Sequence, residues 1–258
     1  MSGPQPKKSL GQHFLVDDNI LGVIARLAEL DAADVVLEIG PGLGALTRVL
    51  ADQCAHVHAV ELDHRLESHL RGIAAAPNVT LHWGDALRLD LGSFEPAPTK
   101  LVANLPYNVA TPIVAESLDG LPGIEQWCVM VQREVADRFF AVPSTKAYGA
   151  VSVLIQLATT RTGFHPVARS VFRPPPNVDS ALVAFRRTTL PPDFAGLRKV
   201  VEGAFAHRRK TLANSLQLAG VTTREHAVEG LTALGLDPAV RAEALAPPVF
   251  LELARLVR

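Results

Sequence analysis

The chain is 258 residues long, 48% apolar and 20% charged, with 25 Lys or Arg against 26 Asp or Glu and a formal net charge of −1. That length and balance suit one large α/β domain, or a large domain with a small companion, with disorder expected only at the ends, and they exclude a protein drawn to nucleic acid by overall charge. No apolar run approaches the roughly 20 residues that span a bilayer, and Met1–Pro6 is too short and polar for a signal peptide, so a cytoplasmic protein without a membrane partner is expected.

Asp17-Asp18-Asn19 is a cluster of good N-cap residues, and Ile20, Leu21, Ile24, Leu27 and Ala28 recur at helical spacing, which predicts a helix to about Leu30. Val35–Ile39 is a continuous apolar run, typical of a buried parallel strand. Gly40-Pro41-Gly42-Leu43-Gly44 then leads into a helical pattern through Leu50. A strand, a glycine-rich turn and a helix in that order form a nucleotide-type site, because glycines let backbone approach a ligand at a helix N-terminus. The spacing is not that of the dinucleotide fingerprint, and Pro41 argues against a pyrophosphate cradle. Cys54 lacks the paired spacing of a zinc or disulfide site, as does Cys128, and both are expected in the core.

The second strand, His56–Val60, leads to Glu61, 21 residues after Gly40, where a carboxylate could accept from both ribose hydroxyls; Asp63 reads as a solvated neighbour. A third strand, Val79–Trp83, ends in Gly84-Asp85-Ala86, where a carboxylate could accept from an adenine amino group beside a backbone donor. Leu101-Val102-Ala103 is a fourth buried strand, and it runs into Asn104-Leu105-Pro106-Tyr107. The proline keeps Leu105 extended, so the four residues form a stiff turn at a strand's end. An exocyclic amine on adenine or cytosine is a poor nucleophile because its lone pair is delocalised into the ring. The Asn104 amide oxygen and the backbone carbonyl of Leu105 or Pro106 could each accept one N–H and draw the lone pair out, while Tyr107 offers a face to an unstacked base. An Asn-x-Pro turn is also common in ordinary loops. Glycine loop, Glu61, Asp85 and Asn104 all close parallel strands at their carboxyl ends, the edge at which open α/β sheets bind ligands.

Beyond the turn, a helix from Thr111-Pro112 to Leu118, a strand over Trp127–Gln132 and a helix over Arg133–Phe140 are expected, then a helix from near Tyr148 across Val151–Leu157, where composition fits a strand equally. Thr160–Val167 and Ala181–Arg187 read as the final strands. Between them the three-proline loop from Phe172 to Ser180 either holds Phe172 as a second face for a base or simply connects the strands. Leu190-Pro191-Pro192 marks a linker, giving domains 1–189 and 190–258, and the second shows four helical patterns. Its basic residues cluster at Arg208-Arg209-Lys210, suited to phosphate; other basic groups fall at Lys7-Lys8, Arg169 with Arg173, and Arg186-Arg187. The nine histidines form no metal-like cluster, and no metal is expected.

The segments Lys8–Leu15, Glu38–Thr47, Glu61–Asp63, Gly84–Ala86, Asn104–Tyr107, Met130–Glu134, Tyr148–Gln156, Phe172–Ser180 and Phe205–Leu216 together resemble the small-subunit (16S) ribosomal RNA adenine N6,N6-dimethyltransferases, the dimethyladenosine transferases, over nearly the whole chain. The resemblance implies a class I S-adenosylmethionine-dependent methyltransferase, α/β, with a Rossmann-like seven-stranded sheet and a small all-helical C-terminal domain that recognises RNA. Its substrate would be two adjacent adenosines near the 3′ end of 16S rRNA within a small ribosomal subunit precursor, met by a monomer. Gln12, His13 and Leu15 would lie over S-adenosyl-L-methionine; Gly40 and Gly42 would take its methionine part, Glu61 with Leu62 its ribose, and Asp85 with Ala86 its adenine, with Asn104 beside it. Asn104, Leu105, Pro106, Tyr107 and Phe172 would handle the target base. Asn177 stands where lysine is frequent in that loop, which removes a possible phosphate contact. Two alternatives remain: an erythromycin-resistance-type enzyme acting on a 23S rRNA adenosine, and a ribosome-assembly factor that binds RNA without methylating it.

Overall fold

Apolar runs too short for helices pair into a sheet, and the amphipathic segments between them cover it, in a computed structural model that describes residues 12–257. In chain order the first elements are β1 (Phe14–Leu15), α1 (Asp18–Leu27), β2 (Val35–Ile39), α2 (Ala45–Gln53), β3 (His56–Glu61), α3 (Glu67–Leu70), β4 (Val79–Trp83), β5 (Lys100–Asn104), α4 (Ala110–Gly120), β6 (Gln126–Gln132) and α5 (Arg133–Phe139). They are followed by α6 (Ala150–Ala158), β7 (Thr159–Val167), β8 (Phe172–Arg173), β9 (Ser180–Arg187), α7 (Phe194–Ala206), α8 (Leu212–Leu218), α9 (Arg224–Ala233) and α10 (Pro247–Leu256). Lys7–Gly11, part of the basic and glycine-containing lead-in, lies outside the described residues.

Seven strands form one sheet in the order β4-β3-β2-β5-β6-β9-β7. Neighbours from β4 to β6 run parallel, and β9 returns antiparallel to β6, with Met130 opposite Leu182. All five residues of β2 are buried, as expected of a parallel strand covered on both faces. Strand order reverses at β2, whose neighbours are β3 and β5, so a crevice opens between the carboxyl ends of β2 and β5. The glycine turn follows the first of these strands and Asn104 ends the second. At the sheet's base, Lys100 pairs with Asp34 at 2.7 Å and donates to Ala28 O at 3.0 Å, which satisfies a carbonyl at the end of α1. Cys54 and Cys128 are buried free thiols, and burial pushes the Cys128 thiol up to about 12.

The chain divides into two compact units, Met1–Ala136 with Arg161–Arg187, and Asp137–Thr160 with Thr188–Arg258. A single cut near residue 190 therefore does not describe the helical unit, which also takes in α6 and the segment before it. The physical reason lies in Tyr148: its ring is fully buried edge-on to Phe205, and its hydroxyl donates to Leu245 O at 2.8 Å. Within the same unit, buried Ser215 donates to Gly203 O at 2.7 Å and accepts from His207 N–H at 3.1 Å, tying α8 to the end of α7.

One strand pairing escaped the sequence reading. β1 and β8 form a separate antiparallel ribbon, with Phe14 opposite Arg173 and Leu15 opposite Phe172, so residues 12–15 lie beside the proline loop as a strap.

Candidate active site

A cleft enclosing about 1040 Å³, open solvent included, is lined by the strap, the glycine turn, the ends of β3 and β4, and the Asn104–Tyr107 turn. Gly40 and Gly42 have positive φ of 74° and 59°; a Cβ at Gly40 would meet Pro106 at 3.3 Å, and one at Gly42 would meet the Phe14 ring at 3.0 Å. Glycine is needed at both positions on backbone and steric grounds. Gly44 then enters α2 with no side-chain cap, leaving the first N–H groups of the helix to the cleft.

Glu61 is 5% exposed, and its carboxylate accepts from Leu62 N–H and Asp63 N–H, both at 2.8 Å, and from Gly42 N–H at 3.2 Å. Burial raises its pKa and the three amides oppose that rise. With Oε1 engaged twice and Oε2 once, the remaining acceptor capacity lies mainly on Oε2. Asp85 accepts from Leu87 N–H at 3.0 Å and lines the cleft with Ala86, while Leu62 projects 50% exposed at its rim.

On the opposite wall, Asn104 Nδ2 donates to His13 O at 3.2 Å, which turns Oδ1 away from the strap, and among the described residues nothing donates to it. Pro106 O accepts from Val109 N–H at 3.1 Å, whereas Leu105 O takes no hydrogen bond among the described residues. Of the two carbonyls considered from sequence, Leu105 is thus the one with open lone pairs. Tyr107 stacks on His13 with ring centroids 5.5 Å apart, and its hydroxyl bonds Ser180 Oγ at 2.6 Å. Burial raises the phenol pKa. His13 Nδ1 lies 2.8 Å from Pro174 O, a carbonyl that only accepts, so Nδ1 carries the proton.

Sequence reading missed two residues and misplaced a third. Glu38, 1% exposed at the end of β2, lines the cleft with Oε2 lacking a partner among the described residues; the Thr47 hydroxyl sits beside it without completing a hydrogen bond. Asp63 is not solvated: it is 7% exposed, gripped by Arg65 at 2.8 and 2.6 Å, and accepts from Gln12 Nε2 at 3.0 Å. Phe172 does not reach the cleft. Its ring is 1% exposed in the core, opposite Leu15 in the ribbon, and has no free face for a base. Arg208, Arg209 and Lys210 are exposed at the turn between α7 and α8, with Arg208 3.2 Å from Glu243. Among the described residues no group of three or more His, Cys, Asp or Glu is arranged to hold a metal ion, and no helix is long and apolar enough to cross a membrane.

A glycine-turn cleft at the switch point of a mostly parallel seven-stranded sheet with an antiparallel β9 defines a Rossmann-like, class I methyltransferase. The fold is similar to a dimethyladenosine transferase from Plasmodium falciparum, with a TM-score of 0.78, 24% identity and coverage of 93% of this chain and 96% of that one. It is also similar to the 23S rRNA methyltransferase ErmE, with a TM-score of 0.66, 29% identity and coverage of 95% and 99%. In sequence the chain is 47% identical over 256 residues to a ribosomal RNA small subunit methyltransferase A from Rubrobacter xylanophilus, covering 98% of this chain and 96% of the relative. A protein of the same name from Lactiplantibacillus plantarum is 44% identical, with 97% and 90% covered. A profile of the family "Ribosomal RNA adenine dimethylase" matches residues 3–256, and the chain belongs to that family. It is an enzyme, a methyltransferase acting on ribosomal RNA adenine.

Proposed function

We propose that the protein transfers methyl groups from S-adenosyl-L-methionine to N6 of two adjacent adenosines near the 3′ end of 16S rRNA, giving N6,N6-dimethyladenosine on a small-subunit precursor in the cytoplasm. The observation that carries this reading is the Asn104 amide, held by His13 O so that Oδ1 and the Leu105 carbonyl both stand open at one cleft wall. Those two oxygens match the two N–H groups of an adenine amine.

The other wall fits the cofactor. Gly40 and Gly42 permit close backbone approach, and the unpartnered Oε2 of Glu38 suits the ammonium of its methionine part. Glu61 Oε2 would accept from ribose and Asp85 from the adenine amino group. When bound, the cofactor supplies an electrophilic methyl group on a sulfonium sulfur. The chain's own residues do the rest: Asn104 Oδ1 and Leu105 O draw the amine's lone pair out of the ring plane, and Tyr107, braced by His13 and Ser180, supports the base. No side chain at Asn104–Tyr107 acts as a base, since the Tyr107 phenol is neutral and already bonded; the proton leaves to water. After one transfer a single N–H remains, so the second depends more on the surviving acceptor. Arg208, Arg209 and Lys210 would meet RNA phosphate from the helical unit.

The name of the 44–47% identical relatives favours a small-subunit target over the large-subunit reading suggested by ErmE at 29%. With enzyme in excess over unmethylated small-subunit particles, mass spectrometry should find dimethyladenosine at two neighbouring positions, and a parallel reaction on 23S rRNA should give none. Asn104→Ala should keep cofactor affinity and slow transfer roughly 10²-fold, as for other lost preorganised partners. A wild-type product that stops at one methyl with cofactor in excess would sink this reading.

A further inference from the structure

We infer that Asp63 is a positioning residue for methyl transfer: it anchors Gln12, and through the strap it fixes the His13 carbonyl that orients the Asn104 amide. The inference rests on the function proposed above, but its geometry stands apart from it. Asp63 is near the cofactor wall, Asn104 ends β5 on the other, and the strap reaches both.

Asp63 is built as an anchor. Arg65 grips it with two hydrogen bonds, Nε to Oδ1 at 2.8 Å and Nη2 to Oδ2 at 2.6 Å, while Arg65 itself is 55% exposed. An exposed arginine pairing with a neighbour two residues away adds little stability. What it does here is keep a 6% exposed carboxylate charged, and the Arg65 guanidinium holds that carboxyl well below the usual range. A charged acceptor makes the bond from Gln12 Nε2, 51 residues distant in sequence, stronger than a neutral pair would be. From Gln12 the next residue supplies three contacts: its carbonyl to Asn104, its Nδ1 proton to Pro174 O, and its ring to Tyr107.

The Asp63 side chain is separable from the Glu61 site, because Glu61 is held by the Asp63 backbone N–H, which any substitution but proline keeps. Loss of the anchor lets the strap drift and the Asn104 amide turn. That penalises the second transfer more, since one N–H then has one acceptor to find.

Two measurements test this. In the protein without cofactor, Asp63→Ala should speed amide hydrogen exchange at Phe14–Val16, and Asp63→Asn, which keeps a neutral and therefore weaker acceptor for Gln12, should speed it less. In single-turnover assays with enzyme in excess, Asp63→Ala should lower the second transfer's rate constant roughly ten-fold relative to the first, short of the 10² that an ångström's misplacement can cost. Gln12→Ala should reproduce this, and Asp63→Asn should bring the ratio only part of the way back towards wild type. A smaller folded fraction would scale both transfers alike, so equal slowing, or unchanged exchange in Asp63→Ala, overturns the inference. If exchange responds as expected but wild type delivers no methyl group, the proposed function and the catalytic role of Asp63 both fall, and only the anchoring remains.

Discussion

Glu38 is the fourth residue of the otherwise apolar β2 run, is 1% exposed, and shares the cleft with a second acid, Glu61. A buried carboxylate without a cation is costly and takes up a proton instead. Burial, with Glu61 adding repulsion, pushes Glu38 up to about 8. A ligand carrying an ammonium into this wall favours the ionised form, so binding lowers that pKa and expels a proton. The sign follows: at pH below about 8 the empty protein holds the proton, and affinity should rise with pH until about 8, then level off. Calorimetry of S-adenosylhomocysteine binding at pH 7, in two buffers of different ionisation enthalpy, should show close to one proton released, and Glu38→Gln should abolish the release. Equal apparent enthalpies in both buffers for wild type would refute this linkage. The sequence placed Glu38 in a motif but could not show its charge state, which depends on the third dimension: a strand buried on both faces, and Glu61 from its neighbour β3.

The edge of the sheet carries its own pH dependence. His56 and His58 on β3 and His82 on β4 lie on one face beside Phe94, with His82 stacked on that ring at 3.9 Å. His58 Nε2 lies 2.8 Å from Pro96 O and so must donate; its Nδ1 then accepts from His82 Nε2 at 3.1 Å. A further proton on His58 would set two donors face to face. Burial first, and mutual repulsion with neighbouring histidines at His56 and His82, lower the pKa of all three; at His58 the Pro96 carbonyl and Glu95 oppose the fall. Groups depressed in the folded state give stability that is complete above their unfolded pKa of about 6.5 and lost as pH falls below it. Tm should therefore drop between pH 7 and 5, and His82→Gln, which keeps the donor to His58 and removes one titrating ring, should flatten the fall; an unchanged slope would show the cluster to be a bystander. Elements of this sheet were legible from sequence because period and punctuation specify them: Val35–Ile39 is the strand read from its apolar run, and Asp17 caps α1 through bonds to Asn19 and Ile20 N–H. β1 and β8 were not, since two-residue strands have no period, and Phe172 was offered as a face for a base because nothing local revealed its partner Leu15. Asn104 and Glu61 were legible as positions at strand ends, whereas the choice of Leu105 over Pro106 as acceptor needed the Val109 N–H that occupies the latter.

For the whole molecule, 25 basic against 26 acidic residues leave no general attraction to RNA, so affinity must come from local groups. The helical unit's exposed turn holds Arg208, Arg209 and Lys210, and their charges are not equivalent. Arg208 has Glu243 at 3.2 Å, while Arg209 and Lys210 have no ion-pair partner among the described residues. The Arg208 pair is 47% and 34% exposed, weak enough for a phosphate to displace. Each phosphate contact releases counterions and contributes roughly 0.7–0.9 to the slope of log affinity against log salt. Neutralising Arg209 and Lys210 should thus flatten the slope by about 1.4–1.8 and weaken binding to small-subunit particles in low salt. Glu243 makes the sharper test, because it touches no RNA in this scheme. Glu243→Gln frees Arg208 without adding a cation, and should tighten binding at low salt, an effect that fades as salt rises within the screening length of about 10 Å at 0.1 M. Filter-binding titrations from low to moderate salt would separate the outcomes. If Glu243→Gln leaves affinity unchanged while Arg209 and Lys210 still matter, Arg208 stays with its own protein; if the whole set is silent, the turn is a solvated face and RNA is gripped elsewhere.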